Sequence, residues 1–310
     1  MEEICYLVAN YNCSAYVAEC LRSLARQTDD GWRCVICDDC STDDSLSVIE
    51  RTIAECGIAA RVAVRRSPHN LGYIGTLKGL LTAAKTDIVA ILDADDVLAP
   101  NATAVMLREY RGHAGAGFVY SRYRAIDAQG QVIAPASPLS TAVPAGRTAL
   151  MFGFVSHLKT FRKSVYDRTE GLDESIRYAE DRDLVYKLEE VAEPRFVNEV
   201  LYDYRLVEGS QSRDEEKFRA GIRNHVLARR NAVRRRGISG VARAVHECVN
   251  QCLLARARPH SAANAVWASV ASRALRGLRL ATRLSHHGAG RAPSRMAESS
   301  PPPGTGAAQA

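Results

Sequence analysis

Acidic residues form three clusters along the chain, and their side chains are the ones best suited to chemistry. In "ILDADD", Asp93 and Asp95 stand two residues apart in an extended turn, so both carboxylates can point the same way. A divalent cation would relieve their repulsion, and oxygen ligands alone suit Mg²⁺ or Mn²⁺. The alternative is a solvated turn that caps the helix expected from about Asn101. The apolar residues before Asp93 favour the metal site.

The other two clusters each allow two interpretations. In "CDDCSTDDS", Asp38 and Asp39 could accept hydrogen bonds from a base or a ribose, although the same residue types are typical of a helix N-cap. In "AEDRDL", Glu180 and Asp181 begin a predicted helix, whose dipole would keep a carboxylate ionised and available as a base. An ordinary charged first turn explains that pair equally well.

Short apolar runs alternate with helical patterns over the first hundred residues, which is typical of a parallel sheet with helices on its faces. The apolar spacing predicts strands at 4–9, 32–38, 61–66 and 87–93, and helices at 15–27, 45–56 and 74–84. Asp38 and Asp93 then end two of the strands. Because open α/β sheets bind ligands at the carboxyl ends of their strands, these two clusters are predicted to share one edge.

The order of elements changes after about residue 117. A hairpin is predicted at 117–134 with its turn near Gly130, and a Pro- and Ser-rich loop at 134–146. A strand that runs into a short helix follows at 156–171, then a helix at 180–192 and a closing strand at 195–206. The third acidic cluster is therefore placed on a helix after the sheet has changed its pattern.

Charge divides the chain into two parts. Residues 1–214 carry 24 Lys and Arg against 31 Asp and Glu, a net −7, and residues 215–310 carry 17 against 4, a net +13. The basic part is predicted to be helical, with an amphipathic helix around 266–283, and residues 287–310 have the composition of a disordered tail. The predicted units are thus 1–212, a basic helical extension at 213–286, and the tail.

Composition excludes several classes of protein. Nine cysteines are an odd number in a chain without a recognisable export signal, which favours free thiols, and the Cys34, Cys37 and Cys40 spacing lacks a fourth metal ligand nearby. No apolar run approaches the roughly 20 residues of a membrane-spanning helix, so a cytoplasmic location is expected. "NLGYIG" is not a dinucleotide fingerprint, and aromatic residues are too few in the basic part for stacking on nucleic acid bases.

Five motifs in order resemble those of the family 2 inverting glycosyltransferases of the GT-A fold, over roughly residues 1–212. They are "VANYN", "DDCSTDDS", "NLGYIGTLKGL", "LDADD" and "EDRDL". The resemblance implies an α/β nucleotide-binding fold with a mostly parallel central sheet, flanking helices and a helical C-terminal extension. It also implies a nucleoside diphosphate sugar as donor and Mn²⁺ or Mg²⁺ as cofactor.

The resemblance assigns roles to particular residues. Asp39 would accept a hydrogen bond from a uracil-type base, with Asp38 supporting its loop. Asp93 would lie near the ribose or the metal, Asp95 would coordinate the metal, and Asp181 would be the general base. The other substrate-binding residues that it implies are Asn10, Tyr11, Asn12, Asn70, Gly72, Ala94, Glu180 and Arg205.

One position departs from the family pattern. Similar enzymes often carry a His in a "YRxHxxS" segment, where it helps to bind the metal or the diphosphate, and Val207 occupies that position here. Arg205, Glu208 or His157 could compensate for the missing side chain. For His157, an ordinary polar residue of the acceptor-side sheet is the favoured interpretation.

The main functional hypothesis is transfer of a sugar, preferably from a UDP-sugar, to a carbohydrate or lipid-linked acceptor by metal-assisted single displacement. The alternatives are a nucleotidyltransferase and a glycosyltransferase-like module that binds without turnover. For the basic extension, packing against the catalytic domain is favoured, attachment to an anionic membrane surface on its inner face comes second, and nucleic acid binding is not expected.

Overall fold

A single sheet runs through the residues that the computed structural model describes, which are 2–134, 136, 140–151, 155–207 and 214–256. Its strands are β1 (Ile4–Asn10), β2 (Trp32–Asp38), β3 (Val62–Arg66), β4 (Ile88–Ile91), β5 (Val97–Leu98), β6 (Phe118–Ile126), β7 (Val132–Ala134), β8 (Lys159–Arg162) and β9 (Pro194–Arg205). They lie in the order β3-β2-β1-β4-β8-β6-β9-β5, with β7 paired to β6.

Helices cover both faces of this sheet. They are α1 (Val17–Ala25), α2 (Ser45–Glu55), α3 (Gly72–Ala83), α4 (Ala102–Gly112), α5 (Lys163–Tyr166), α6 (Glu180–Val191), α7 (Glu215–Arg235) and α8 (Gly240–Arg256). The predicted α/β fold is confirmed, as are the helices at the C-terminus. No helix among the described residues is long and apolar enough to cross a lipid bilayer.

The four strands β3, β2, β1 and β4 are parallel, and their burial explains their composition. Residues 4–8 of β1 are at most 1% exposed because helices lie on both sides of them. Alternate residues enter two cores: Tyr6 packs with Leu21 of α1 on one face, and Leu7 packs with Leu77 of α3 on the other. Each such buried side chain contributes about 1.5–3 kcal/mol of hydrophobic free energy.

Antiparallel strands complete the sheet beside β4. β8 pairs with β4 so that Lys159 lies opposite Ile91, and β6 pairs with β8 on its other side. The predicted hairpin turns at 127–130, where Gly130 has a φ of +80° and donates its amide to the Asp127 carbonyl. Two-residue β5 was not predicted, because its length carries no periodic signal, and it pairs with β9.

The described part of the basic extension packs against α6. Helix α7 lies against the start of α6 so closely that a Cβ at Gly221 would be 2.9 Å from the Tyr178 carbonyl oxygen. Arg235 and Arg236 at its end form ion pairs with Glu190 of α6. The amphipathic helix predicted around 266–283 and the predicted tail lie outside the described residues.

Candidate active site

A cavity of about 890 Å³ opens at the carboxyl ends of the parallel strands. The pairing of β1 with β2 puts Asn10 beside Asp38, and β4 ends two residues before Asp93. Eleven of the thirteen predicted site residues line the cavity: Asn10, Tyr11, Asn12, Asp39, Asn70, Gly72, Asp93, Ala94, Asp95, Glu180 and Asp181. The other two, Asp38 and Arg205, are 1% exposed and lie behind its wall.

The loops after β1 and β2 hold each other in place through side chains of the first two motifs. Asn10 donates from Nδ2 to Asp38 Oδ1 at 2.9 Å, and the Ser41 hydroxyl donates to the same carboxylate at 2.5 Å. Asn12 has a φ of +50° and accepts the Thr42 amide at 2.8 Å. Asp38 therefore supports the loop, as the resemblance implied, instead of reaching the cavity.

Asp39 fixes the start of α3. Its carboxylate accepts the backbone amides of Leu71 at 2.9 Å and Gly72 at 2.8 Å, which satisfies two donors at a helix N-terminus. Gly72 has a φ of +72°, a conformation that costs glycine little, and its amide also donates to Asn70 Oδ1 at 3.0 Å. The Asp39 carboxylate thus both shapes this wall of the cavity and lines it.

The acidic loop after β4 concentrates three carboxylates. Burial raises the pKa of Asp93, and burial together with the Asp93 charge raises the pKa of Asp95 to about 6. Burial and the Asp95 charge raise the pKa of Asp96 well above its ordinary value. Tyr73 donates its hydroxyl to Asp93 Oδ1 at 3.1 Å. The repulsion expected from the sequence is therefore present in the fold.

Arg205 anchors this loop from below and does not line the cavity. Its Nε donates to the Asp95 carbonyl at 2.7 Å, and its backbone amide donates to Asp96 Oδ1 at 2.7 Å. Its remaining nitrogens bond the carbonyls of the 127–130 turn and the carboxylate of Glu19 in α1. The guanidinium is 0% exposed, so a direct contact with substrate, which the resemblance implied, does not fit this geometry.

Asp93, Asp96 and His157 offer metal-ligand atoms that all lie within 4.8 Å of one another. Asp96 Oδ2 is buried and has no hydrogen-bond partner among the described residues. Burial and Lys159 lower the pKa of His157 well below its ordinary value, so the imidazole is neutral and has a lone pair to share. Two carboxylates and a neutral imidazole fit a divalent cation.

This group differs from the predicted pair of Asp93 and Asp95. Asp95 lines the cavity but is not in the group whose ligand atoms meet. His157, for which an ordinary sheet residue was favoured, stacks on Tyr202 with ring centroids 4.7 Å apart and faces the two aspartates. Val207 also lines the cavity, so the position of the missing family His faces the same cavity as His157, which lies just before β8.

Glu180 and Asp181 stand at the start of α6, as predicted. Partial burial would raise the pKa of Asp181, but Arg182 and Lys159 outweigh it, and the pKa lies below its ordinary value. Burial raises the pKa of Glu180 to about 7, and Glu180 Oε2 is buried without a hydrogen-bond partner among the described residues. The Asp181 side chain is 45% exposed, so an ionised carboxylate faces the open cavity.

Several lining residues were not found from the sequence. Tyr73 lies on α3, within the "NLGYIGTLKGL" motif, and Lys159 lies on β8. Helix α7 adds five residues from the predicted extension: Lys217, Phe218, Gly221, Ile222 and His225. The only signal was the basic, helical composition of the extension, which predicts a helix without indicating which of its residues reach a cavity.

The chain is similar to two polysaccharide synthases of known sequence. It is 28% identical to the chondroitin synthase of Escherichia coli over 242 residues, which are 78% of this chain and 34% of that protein. It is 28% identical to the hyaluronan synthase of Pasteurella multocida over 229 residues, which are 74% of this chain and 23% of that protein. The chain spans about a third or less of the length of these relatives.

Solved structures share the fold. TarS of S. aureus, in complex with UDP, matches with a TM-score of 0.57 and 17% identity over 83% of this chain and 81% of that one. The mannosyltransferase PcManGT of Pyrobaculum calidifontis, in complex with GDP-Man and Mn²⁺, matches with a TM-score of 0.60 and 19% identity over 88% and 80%. These matches confirm the predicted GT-A type fold.

Identities of 28% or less do not assign this chain to a family, but a match to a family model does. The model for glycosyl transferase family 2 matches residues 5–169, from the first strand to the end of the short helix after β8. That span contains four of the five motifs and all three residues of the Asp93, Asp96 and His157 group. The chain therefore belongs to glycosyl transferase family 2.

Proposed function

We propose that the chain is an inverting glycosyltransferase that moves a sugar from a nucleoside diphosphate sugar to an acceptor hydroxyl. One observation carries the proposal: a single cavity of about 890 Å³ is lined by the ionised Asp181 and by Asp93 and His157, and Asp96 is buried beside the last two. Cavities of about 300–1,000 Å³ are typical of small-molecule sites. Membership of family 2 and the nucleotide complexes of TarS and PcManGT support this donor class.

Asp181 is the general base in this proposal. Its carboxylate accepts the proton of the acceptor hydroxyl, and the hydroxyl oxygen forms a bond to the anomeric carbon. The bond from that carbon to the diphosphate oxygen breaks in the same step, and its electron pair leaves with the nucleoside diphosphate. Attack opposite the leaving group inverts the anomeric centre, so no covalent enzyme intermediate is required.

Asp93, Asp96 and His157 would hold the cation, with Asp95 beside them. When bound, the cation supplies Lewis-acid neutralisation of the charge on the departing diphosphate. An imidazole in the set favours Mn²⁺ over Mg²⁺, which prefers oxygen ligands. Arg205 acts on this group indirectly, since its hydrogen bonds fix the backbone of the acidic loop.

The donor nucleotide is proposed to lie along the loops after β1, β2 and β3. Asn10, Asn12, Asp39, Asn70 and Gly72 form that wall. Tyr11 is 49% exposed at the cavity, where its ring can stack on a base. The preference for uracil, the carbohydrate or lipid-linked acceptor, the attachment to a membrane surface and the cytoplasmic location stay predictions.

The proposal is tested by incubating the protein with Mn²⁺, a panel of UDP- and GDP-sugars, and candidate acceptor saccharides. We expect release of nucleoside diphosphate and, by NMR, a product with the opposite anomeric configuration to the donor. A product that retains the donor configuration would contradict the single displacement. Pyrophosphate release from a nucleoside triphosphate and a sugar phosphate would indicate a nucleotidyltransferase, and tight donor binding without release would indicate a binding module.

A further inference from the structure

A lysine forms part of the wall of the cavity that Asp93 and Asp181 also line. Lys159 is the first residue of β8, lines the cavity and is only 3% exposed. Its neighbours across the sheet are Ile91 of β4 and Tyr120 of β6. Because Ile91 precedes Asp93 by two residues, the pairing places the lysine beside the end of β4, where the acidic loop begins.

The ammonium of Lys159 differs from the other deeply buried cations in its partners. Lys187 is also 3% exposed, and it forms an ion pair with Asp183 at 2.6 Å. Arg229, again 3% exposed, donates to Asn250 at 2.8 Å. Within the part of the chain that the structure describes, no hydrogen bond or ion pair to the Lys159 ammonium is present. Most of the Lys159 side chain is buried and the residue lines the cavity, so its ammonium is placed to bind an anionic group that enters there.

Lys159 lines the same cavity as Asp93 and Asp181. Its charge lowers the pKa of Asp181, second to that of Arg182 among the groups that oppose burial there.

The proposed reaction fixes where the leaving oxygen must lie. In a single displacement the anomeric carbon lies between the attacking oxygen, which contacts Asp181, and the leaving oxygen of the β-phosphate. The diphosphate must also reach the Asp93 side, where the cation would be held. The leaving oxygen therefore lies between Asp181 and Asp93, inside the cavity that Lys159 also lines.

We propose that Lys159 binds the β-phosphate of the donor, as a second positive group in addition to the cation. This inference rests on the proposed function, because it needs a nucleoside diphosphate in the cavity. An ammonium is a compact point charge with three donors, which suits a phosphate that gains charge as the glycosidic bond breaks. The lysine then gains on substrate binding the partner that it lacks in the protein alone.

Calorimetric titration of the full chain with Mn²⁺ present tests this role. The probes are UDP and UMP, or GDP and GMP if the wild type prefers guanine. We expect Lys159→Met to weaken binding of the nucleoside diphosphate by roughly 10- to 100-fold, which is the usual contribution of a charged hydrogen bond. Binding of the monophosphate should weaken by less than about 3-fold. Lys159→Arg should keep most of the diphosphate affinity. Lys78→Met is the matched control, because Lys78 is an exposed lysine of α3 outside the cavity.

The possible results separate this inference from the function on which it rests. Wild type that binds no nucleoside diphosphate overturns both. Wild type that binds UDP or GDP, with Lys159→Met binding it equally well, overturns only the role of the lysine. An equal loss for the diphosphate and the monophosphate also overturns it, because the lysine then acts on the whole site. A thermal melt of each unliganded variant, expected within a few degrees of wild type, shows that the losses do not come from unfolding.

Discussion

Replacement of Arg205 by Met should destabilise the protein far more than replacement of a surface arginine on the neighbouring strand β6. The guanidinium is 0% exposed and donates to three backbone carbonyls, those of Asp95, Asp127 and Ala128, at 2.7, 3.0 and 3.2 Å. It also pairs with Glu19 at 2.5 Å. Methionine fills much of the volume but leaves these acceptors without their donor.

The size of the effect follows from these contacts. An acceptor left buried without a partner costs about 1–3 kcal/mol, and breaking a buried ion pair costs about 3–5 kcal/mol. The Glu19 side chain is 45% exposed and can be rehydrated, so the separate costs do not add in full. We expect the free energy of unfolding to fall by about 3–5 kcal/mol. For a domain of this size that corresponds to a fall in Tm of roughly 10 °C.

Urea unfolding followed by circular dichroism measures this loss. The control is Arg124→Met, because Arg124 pairs with Asp203 but is 43% exposed, and an exposed pair contributes about 1 kcal/mol or less. The urea midpoint of Arg205→Lys should lie between those of Arg205→Met and Arg124→Met, because lysine keeps the charge but loses most of the hydrogen bonds. If Arg205→Met unfolds at the same urea concentration as Arg124→Met, the guanidinium does not hold the acidic loop.

Three further predictions concern the walls of the cavity. Asp39→Asn weakens the acceptor for two amides at the start of α3, so it should lower stability by about 1–2 kcal/mol and speed hydrogen exchange of those amides; unchanged exchange would contradict the contact. Gly221→Ala should lower the Tm because its Cβ would lie 2.9 Å from the Tyr178 carbonyl, whereas Gly79→Ala, with nothing within 4 Å, should raise it; a rise in both would mean that α7 does not pack so closely. Glu180→Gln should remove a pH dependence. The folded pKa of about 7 exceeds the ordinary 4.5, so wild type loses stability relative to the variant as pH rises from 4.5 to 7, and parallel stability curves would contradict the raised pKa.

The sequence predicted the parts of the site that depend on short segments. Apolar runs located β1, β2 and β4 to within about two residues, and the rule that ligands bind at the carboxyl ends of strands brought Asp38, Asp39 and Asp93 to one edge. Helix α6 was predicted to begin at Glu180, and it does. In each case the chemistry-bearing residue directly follows or begins an element whose periodicity is strong.

Contacts between distant segments could not be predicted in the same way. His157 and Lys159 reach the cavity because β8 pairs antiparallel with β4, and nothing in the residues around either strand specifies that pairing. Arg205 was assigned to substrate from its motif, yet its strand continues beneath the acidic loop and buries the guanidinium. The contribution of Phe218 depends on how α7 packs against the rest of the chain, which the helical composition of the extension does not determine.

The role of Asp181 as general base is tested most directly by comparing turnover with donor binding in Asp181→Asn. Asparagine keeps the size of the side chain but cannot take the acceptor proton, so kcat should fall by roughly 10²- to 10⁴-fold. Affinity for the nucleoside diphosphate should stay within a few-fold of wild type, as it should for Asp167→Asn, an exposed carboxylate outside the cavity. An Asp181→Asn variant that releases nucleoside diphosphate at the wild-type rate would contradict the mechanism.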